Sequence, residues 1–324
     1  MGAVLSEQFA YGHREEVLWA AGLPFNAILW GILPHAGIGR PEELGFELQR
    51  RKDPIGREIP QWFWNESWVT EAQARGVKRA YALGSPWLYH LRRKGILPAW
   101  ESGRPAMQGT PGYLLFVPRH TWEGHVYPAR VPARELEVLA QGRDICVLLA
   151  WPDFLCRDTR SRYEEAGMQV HCAGFRASPY FLPWSAAGDR TCFLENLRQT
   201  FAGASQVVSE SPGAALVYAA SLGVPIQIVP ELSTVPADQD LRAYTDAIAR
   251  LSSTLRWAYS ENNDLRKHVD QIAEMLGADS VRSQEQLLGV LQWKVLSKEL
   301  PADWPTGWEK RRQAVGSPGM SEST

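Results

Sequence analysis

Apolar runs alternate with helix-like patterns along the middle of the chain, from residue 112 to residue 229. Short runs rich in Val, Ile and Leu predict buried strands at residues 113–118, 144–150, 168–173, 206–209 and 224–229. The stretches between them have the apolar spacing of helices, at residues 132–141, 157–166, 189–202 and 213–222. Five strands joined by four crossover helices predict a doubly wound parallel α/β sheet of the Rossmann-like type.

The patterns on either side of this sheet are less regular. Residues 25–33 and 79–84 predict two more strands, and residues 61–76 predict a segment that contains a helix. The turn-rich run 101–112 is the best candidate for a linker. After the sheet, apolar spacing predicts helices within residues 238–276 and near residues 283–296.

These patterns divide the chain into four predicted regions. A smaller, irregular N-terminal α/β lobe covers residues 1–108, and the parallel sheet covers residues 109–235. C-terminal helices follow at residues 236–300, and a flexible tail at residues 301–324.

Composition narrows the class of protein. The chain has 324 residues, of which 45% are hydrophobic and 22% charged, as in a globular protein long enough for two domains. A net charge of −2 gives no electrostatic footprint for nucleic acid, so a nucleic-acid partner is not expected. Four widely spaced cysteines without a Cys-x-x-Cys pair indicate neither a zinc site nor a disulfide framework.

The location of the protein is predicted from missing signals. No window approaches the ~20 apolar residues of a membrane span, and the amino terminus does not have the pattern of a secretory signal. We therefore expect a cytoplasmic protein. Two short basic runs, at residues 50–52 and 92–94, leave two interpretations open: contact with the inner face of the membrane, or ordinary solvated surface.

Fourteen tryptophans are an unusual number, and Trp62, Trp64 and Trp68 lie close together. Aromatic side chains bind sugar rings and bases, but tryptophan also dominates cores. Packing is the favoured interpretation, and an aromatic loop is the alternative.

The serine-rich turn between the last predicted strands carries the strongest functional signal. Ser211 is suited to be the N-cap of the following helix, and Pro212 to be its first residue. Gly213 and Ala214 leave room for a ligand near the free amides of the first turn, where the helix end favours a phosphate or carboxylate. The alternative is an ordinary capped helix.

Ligands of open parallel sheets bind beyond the carboxyl ends of the strands. The residues at that edge are Arg119, His120, Trp151, Pro152, Asp153, Gly174, Phe175, Arg176, Ser209, Glu210, Ser211, Pro230 and Glu231. The chain lacks the dinucleotide fingerprint, the phosphate loop and the Gly-x-Ser-x-Gly elbow. Hydride transfer, nucleoside triphosphate hydrolysis and serine hydrolysis are therefore not indicated.

Three segments, at residues 112–122, 146–154 and 209–225, resemble the nucleotide-sugar lobe of GT-B glycosyltransferases of capsule and O-antigen pathways. The likeness extends to bacterial sialyltransferase-like and Kdo-transferase-like enzymes and to teichoic-acid polyol-phosphate transferases. It covers the sheet region well and the first hundred residues loosely. Trp151 and Pro152 stand where several of these enzymes have His-Pro.

The resemblance implies a donor-binding role for the sheet and an acceptor-side role for the N-terminal lobe. Ser209, Ser211, Gly213 and Ala214, together with the intervening Glu210, would hold the phosphate or ribose of a nucleotide-activated donor. Arg119 and His120 would neutralise the leaving phosphate. The Trp151 ring either stacks on the base of the nucleotide or packs against other side chains of the protein.

Group transfer needs a base for the attacking hydroxyl of the acceptor. On the N-terminal side the candidates are His35 and one of Glu42 and Glu43. At the sheet edge they are His120 and Asp153. Each of them has an ordinary structural role as its alternative. We expect a metal-independent reaction without a cofactor.

The leading hypothesis is a glycosyltransferase that moves a sugar from its nucleotide donor to a glycan or lipid-linked acceptor of a surface polysaccharide. Two alternatives stay open: a polyol-phosphate transferase on the same scaffold, and a non-catalytic nucleotide-sugar-binding or assembly protein. The short first lobe and the loss of His-Pro favour the second alternative.

Overall fold

The computed structural model describes several stretches of the chain, separated by gaps. They are residues 10–24, 27, 29, 33, 60–74, 76–103, 112–119, 131–174, 192–232, 253–260 and 264–291. The chain divides into two compact units, residues 1–291 and residues 292–324, and the second lies outside the described residues.

Two parallel sheets organise the first unit. Strands β1 (Gln61–Phe63) and β2 (Ala80–Ala82) form a parallel pair. The other sheet contains β3 (Tyr113–Val117), β4 (Ile145–Leu148), β5 (Gln169–His171), β6 (Ala204–Ser209) and β7 (Ile226–Ile228). Its strand order is β5-β4-β3-β6-β7, and every neighbouring pair is parallel.

Helices flank and connect these strands. They are α1 (His13–Ala20), α2 (Glu66–Ala74), α3 (Pro86–Arg93), α4 (Ala99–Ser102), α5 (Ala133–Ala140), α6 (Trp151–Leu155), α7 (Arg157–Glu165), α8 (Cys192–Ala202), α9 (Ala214–Ser221), α10 (Val269–Leu276) and α11 (Gln284–Val290). Short 3₁₀ turns lie at Ala10–Gly12, Pro230–Leu232, Arg256–Tyr259, Leu265–Lys267 and Ala278–Ser280. None of the described helices is long and apolar enough to cross a membrane.

The five-stranded sheet has a core on each face. Successive side chains of a strand point to opposite faces, so Leu114 and Phe116 of β3 pack in one core and Leu115 in the other. The first core contains residues of α5 and α7, and the second contains residues of α8 and α9. This confirms the predicted doubly wound parallel sheet.

All five strands and four helices predicted for the sheet region are present, with ends shifted by a few residues. The sequence did not predict α6, which begins directly after β4 with Pro152 in its first turn. A segment of five residues is too short for a periodic pattern to show.

The N-terminal part confirms a smaller α/β arrangement but packs directly on the sheet region. Trp64 and Trp87 stack on Tyr218 of α9, with ring centroids 6.0 and 4.7 Å apart. The Trp87 indole Nε1 donates to the Ser221 hydroxyl, 2.8 Å away, and both residues are fully buried. The described N-terminal elements therefore share a core with α9. The boundaries at residues 108 and 235 stay predictions.

Trp62 and Trp64 are buried, so packing is the correct interpretation for these two members of the aromatic cluster. The C-terminal helices are present as α10 and α11. Of the predicted strand at residues 25–33, the described residues Ala27, Leu29 and Leu33 are buried. Most of the predicted linker and all of the predicted tail lie outside the described residues.

Candidate functional site

The strand order has its switch point between β3 and β6, which makes the carboxyl ends of these two strands the expected place for a ligand crevice. The helix that follows β3 packs on one face of the sheet, and the helix that follows β6 packs on the other. At such a switch point the two connections move apart and leave an opening above the strand ends. Arg119 follows β3 and Glu210 follows β6, so both lie beside this opening.

Glu210 joins the two strand ends. Its buried carboxylate accepts a hydrogen bond from the backbone N–H of Arg119. Burial raises the pKa of the Tyr163 hydroxyl on α7 above its usual value, and the negative charges of Glu210 and Asp153 raise it further. Glu210 and Asp153 are both buried, and each follows a strand that ends at this edge.

Ser209, the last residue of β6, braces the turn. Its hydroxyl lies 2.7 Å from the carbonyl oxygen of Val117 and 2.8 Å from that of Ser211, and it donates to one of them at a time. The same oxygen accepts from the backbone N–H of Ser211 at 3.3 Å. These bonds fix the direction of the chain as it leaves the sheet. A direct contact of Ser209 with a donor stays a prediction.

Removing the Ser209 hydroxyl is expected to lower the free energy of unfolding by about 1–2 kcal/mol, because two backbone groups lose a buried partner. Ser209→Ala should also weaken ligand binding, since the turn loses its brace. The matched control is Ser205→Ala at the other end of β6. The Ser205 hydroxyl lies 3.2 Å from the carbonyl oxygens of Gly112 and Tyr113.

Both variants should lose similar stability in urea unfolding, and only Ser209→Ala should change the dissociation constant of the ligand. An equal effect of the two variants on binding would contradict a local role of the turn.

The start of α9 differs from the prediction. Ser211 and Pro212 were expected at the N-cap and the first helical position, and both expectations are wrong. The N-cap is Gly213, with an extended backbone (φ −171°), and the helix begins at Ala214. The physical reason is the hydroxyl of Ser209, which bonds to both backbone groups of Ser211 and so holds that residue in the turn before the helix.

Space for a ligand is nevertheless present at this helix start. Apart from its two chain neighbours, a Cβ atom added to Gly213 would meet no atom of the described residues within 4 Å. The first amides of a helix have no partner within the helix, so the N–H groups of Gly213, Ala214 and Ala215 are available by position. The structure thus retains the predicted opening while moving the helix start by two residues.

The other predicted site residues divide into two groups. Trp151 and Asp153 lie in α6, directly beyond β4, where Trp151 is half-buried and Asp153 is buried. His35, His120, Glu42 and Glu43 lie outside the described residues, so their roles stay predictions. An Asp-x-Asp pair, Asp238 and Asp240, also lies outside them. Because such a pair can bind a divalent cation, the expectation of a metal-independent reaction stays open.

Tyr163 is a core residue whose electrostatic surroundings the sequence did not predict. It occupies the buried position of α7, an otherwise polar helix, so the pattern assigns it to the core. Only the fold brings its hydroxyl close to the charges of Asp153 and Glu210.

No model of a known protein family and no curated protein sequence matches this chain. Among solved structures, the chain is similar to the UDP-GlcNAc 2-epimerase from Neisseria meningitidis bound to UDP-GlcNAc. The identity is 14%, the TM-score 0.36, and the match covers 81% of this chain and 68% of that one. The chain is also similar to the UDP-N-acetylglucosamine 2-epimerase from Rickettsia bellii. The identity is 14% and the TM-score 0.38, and the match covers 78% of this chain and 64% of that one. Likenesses at these TM-scores carry no argument about the activity of this chain.

Proposed function

We propose that the carboxyl edge of the five-stranded sheet binds a nucleotide-activated sugar and that the protein transfers the sugar to an acceptor hydroxyl. The observation that carries the proposal is the serine-braced turn at the switch point, which leads into the open start of α9. The proposed acceptor is a glycan or lipid-linked intermediate of a surface polysaccharide. This acceptor class rests on the sequence resemblance.

The carboxyl edge of the sheet has two sets of polar groups, amides and carboxylates, and each set suits one end of a nucleotide-activated sugar. The amides at the start of α9 suit a diphosphate, because the helix end carries partial positive charge. The carboxylates of Asp153 and Glu210 would repel a phosphate but accept hydrogen bonds from ribose or sugar hydroxyls. We therefore orient the donor with its phosphates at Gly213 and its hydroxyl-bearing part toward Glu210.

Transfer breaks the bond between the anomeric carbon and the phosphate oxygen, and a new bond forms to the oxygen of the acceptor. The acceptor proton goes to a base, and the electron pair of the broken bond stays on the leaving phosphate. Charge grows on that phosphate, so the α9 amides and Arg119 would stabilise the transition state more than the ground state. Asp153 is the candidate base among the described residues.

Thermal unfolding with a panel of CMP-, UDP-, GDP- and CDP-linked sugars tests the binding half of the proposal. A donor at ~100 times its dissociation constant should add about 2.7 kcal/mol of stability. Ser211→Ala and Arg119→Ala should each reduce this gain while leaving the unliganded protein folded. Arg92→Ala, on an exposed residue of α3, is the control and should leave the gain unchanged.

Unchanged affinity in both site variants would remove the proposed site. Binding of a donor without hydrolysis or transfer to any acceptor would remove the transferase activity and leave a binding protein.

A further inference from the structure

The turn that follows α3 has a fixed backbone. Gly95, just after the helix, has a left-handed conformation with φ +69°. Its N–H donates to the carbonyl oxygen of Arg92 at 3.1 Å, and the N–H of Ile96 donates to that of Leu91 at 2.9 Å. This pair of hydrogen bonds is the Schellman motif of a helix end. The direction of the chain after α3 is therefore set by the helix itself.

Leu97 is held outward by this turn. Its neighbours are anchored, because Ile96 packs against the core that contains α9 and Pro98 is buried. Leu97 lies between them and is 61% exposed. A single exposed leucine is ordinary on a protein surface. The groups around it decide whether it has a partner.

Cations flank this leucine and face water. Arg92 and Lys94 are exposed at the end of α3. Arg93, between them, donates to the buried carboxylate of Glu16 at 2.5 Å. The Lys94 side chain lies 3.6 Å from the mostly buried carboxylate of Glu195 and is still 38% exposed. The two carboxylates therefore lie inside, and the positive charge faces outward.

Two further charges complete the balance at this corner. Arg198 lies 2.7 Å from the Glu195 carboxylate and compensates its charge together with Lys94. Glu101, on α4, is exposed and adds a negative charge to the surface. Arg92 and Lys94 outweigh it, so the exposed charge of the corner is positive.

This combination matches the chemistry of an anionic lipid surface. Lipid phosphates attract Lys and Arg, and the head-group region accepts apolar and tryptophan side chains. Trp100, on α4, is half-buried and packs on the same core as Ile96. A nucleic acid would also attract the cations, but its phosphate backbone would leave Leu97 without an apolar contact.

The corner lies on the side of the molecule that carries the functional edge. Glu195, which Lys94 contacts, is in the first turn of α8. Phe193, at the start of that helix, lies beside Gly174, which follows β5 at the carboxyl edge of the sheet. A lipid surface at the corner would therefore be near this edge.

We propose that the end of α3 and the turn after it form a docking surface for an anionic lipid bilayer. Leu97 enters the head-group region, and Arg92 and Lys94 contact lipid phosphates. One apolar side chain and two exposed cations give weak and reversible binding. The inference does not depend on the proposed transferase activity.

Co-sedimentation of the full-length protein with vesicles tests this surface. One set of vesicles contains equal parts of phosphatidylglycerol and phosphatidylcholine, and the other contains phosphatidylcholine alone. At low salt the affinity for the anionic vesicles should be about tenfold higher or more, because each exposed Lys or Arg contributes about fivefold. The preference should fall as salt is added. Equal binding to both sets, or no binding to either, would overturn the proposal.

Matched substitutions on two surfaces locate the contact. Leu97→Ser and Arg92→Gln should each weaken binding to the anionic vesicles about fivefold, through loss of apolar burial and of one phosphate contact. The controls are Val138→Ser and Arg134→Gln on α5, where Val138 is 72% exposed and Arg134 is also exposed. Both controls should bind like the wild type.

Equal losses in the two pairs of variants would assign the binding to general surface properties and contradict the proposed location. The stability gained from a nucleotide-linked sugar should be the same in Leu97→Ser as in the wild type. Failure of the docking surface and failure of the donor site are thus measured separately.

Discussion

Gly277→Ala is expected to lower the free energy of unfolding by more than about 4 kcal/mol, enough to threaten the folded state. Gly277 ends α10 in the left-handed conformation, with φ +68°. A Cβ atom there would lie 1.7 Å from the carbonyl oxygen of Trp64 and 2.5 Å from its carbonyl carbon. Both are backbone atoms, so no side chain can rotate out of the way.

The backbone of Trp64 cannot retreat without loss of other contacts. Its carbonyl oxygen accepts from the N–H of Gly84 at 3.0 Å, and the neighbouring Asn65 side chain donates to the Glu274 carbonyl at 3.3 Å. The close approach of α10 to the end of β1 is therefore fixed on both sides.

Two controls divide the effect of Gly277→Ala into its parts. Gly76 has φ +90° and open space around its Cβ position, so Gly76→Ala should cost only the conformational strain, about 1 kcal/mol. Gly289 lies within α11 with equally open space, so Gly289→Ala should be neutral or stabilising by up to about 1 kcal/mol. Urea unfolding measures all three variants. A cost for Gly277→Ala similar to that for Gly76→Ala would refute the close approach.

Gly213→Val is expected to abolish donor binding while leaving the protein folded. The Cβ position of Gly213 is open, and its φ of −171° is accessible to any residue. The free energy of unfolding without ligand should change by about 1 kcal/mol, the usual effect of a poor N-cap residue. The branched side chain would instead occupy the space in which the donor phosphate is proposed to lie.

Thermal unfolding with and without donor measures both effects in one experiment. The ligand-induced gain of about 2.7 kcal/mol should fall below about 0.5 kcal/mol, which corresponds to roughly a hundredfold loss of affinity. Gly213→Ala, with a smaller side chain, should show an intermediate loss. Full donor binding by Gly213→Val would show that the ligand does not approach the start of α9.

The strand and helix content of the sheet region was predictable because each element is buried in a regular way. Strands such as β3 and β4 lie in the interior of the sheet, so their apolar runs are continuous. The connecting helices bury one side, and their apolar residues recur with the helical period. The parallel direction of the strands then follows from the length of the connections.

The first hundred residues were less predictable for a related reason. Strands β1 and β2 have three residues each, too few for a pattern to separate strand from loop. Their environment comes from distant segments: Trp64 packs on Tyr218, and Gly277 packs on Trp64. No local pattern contains this information.

The position of several residues at the strand ends was predictable from the sequence, and the start of α9 was not. The rule on strand ends placed Arg119, Asp153 and Glu210 at the same edge, and there the Glu210 carboxylate accepts a hydrogen bond from the backbone N–H of Arg119. The N-cap was misassigned because capping preferences consider only the neighbouring residues. The hydroxyl of Ser209 decided the turn instead, through its contacts with the backbone of Ser211 and with the carbonyl of Val117 on the adjacent strand.

The sequence by itself determined the elements of the sheet, their parallel order of connection and the edge at which polar residues collect. These properties depend on the periodicity of burial and on connection lengths, both of which can be read along the chain. Tertiary structure alone decided which polar side chains meet, as around His90, where Glu16 and Glu195 come from distant parts of the sequence. The hydrogen bonds and charges of such a cluster act over a few ångströms in space, and distance along the chain does not record them.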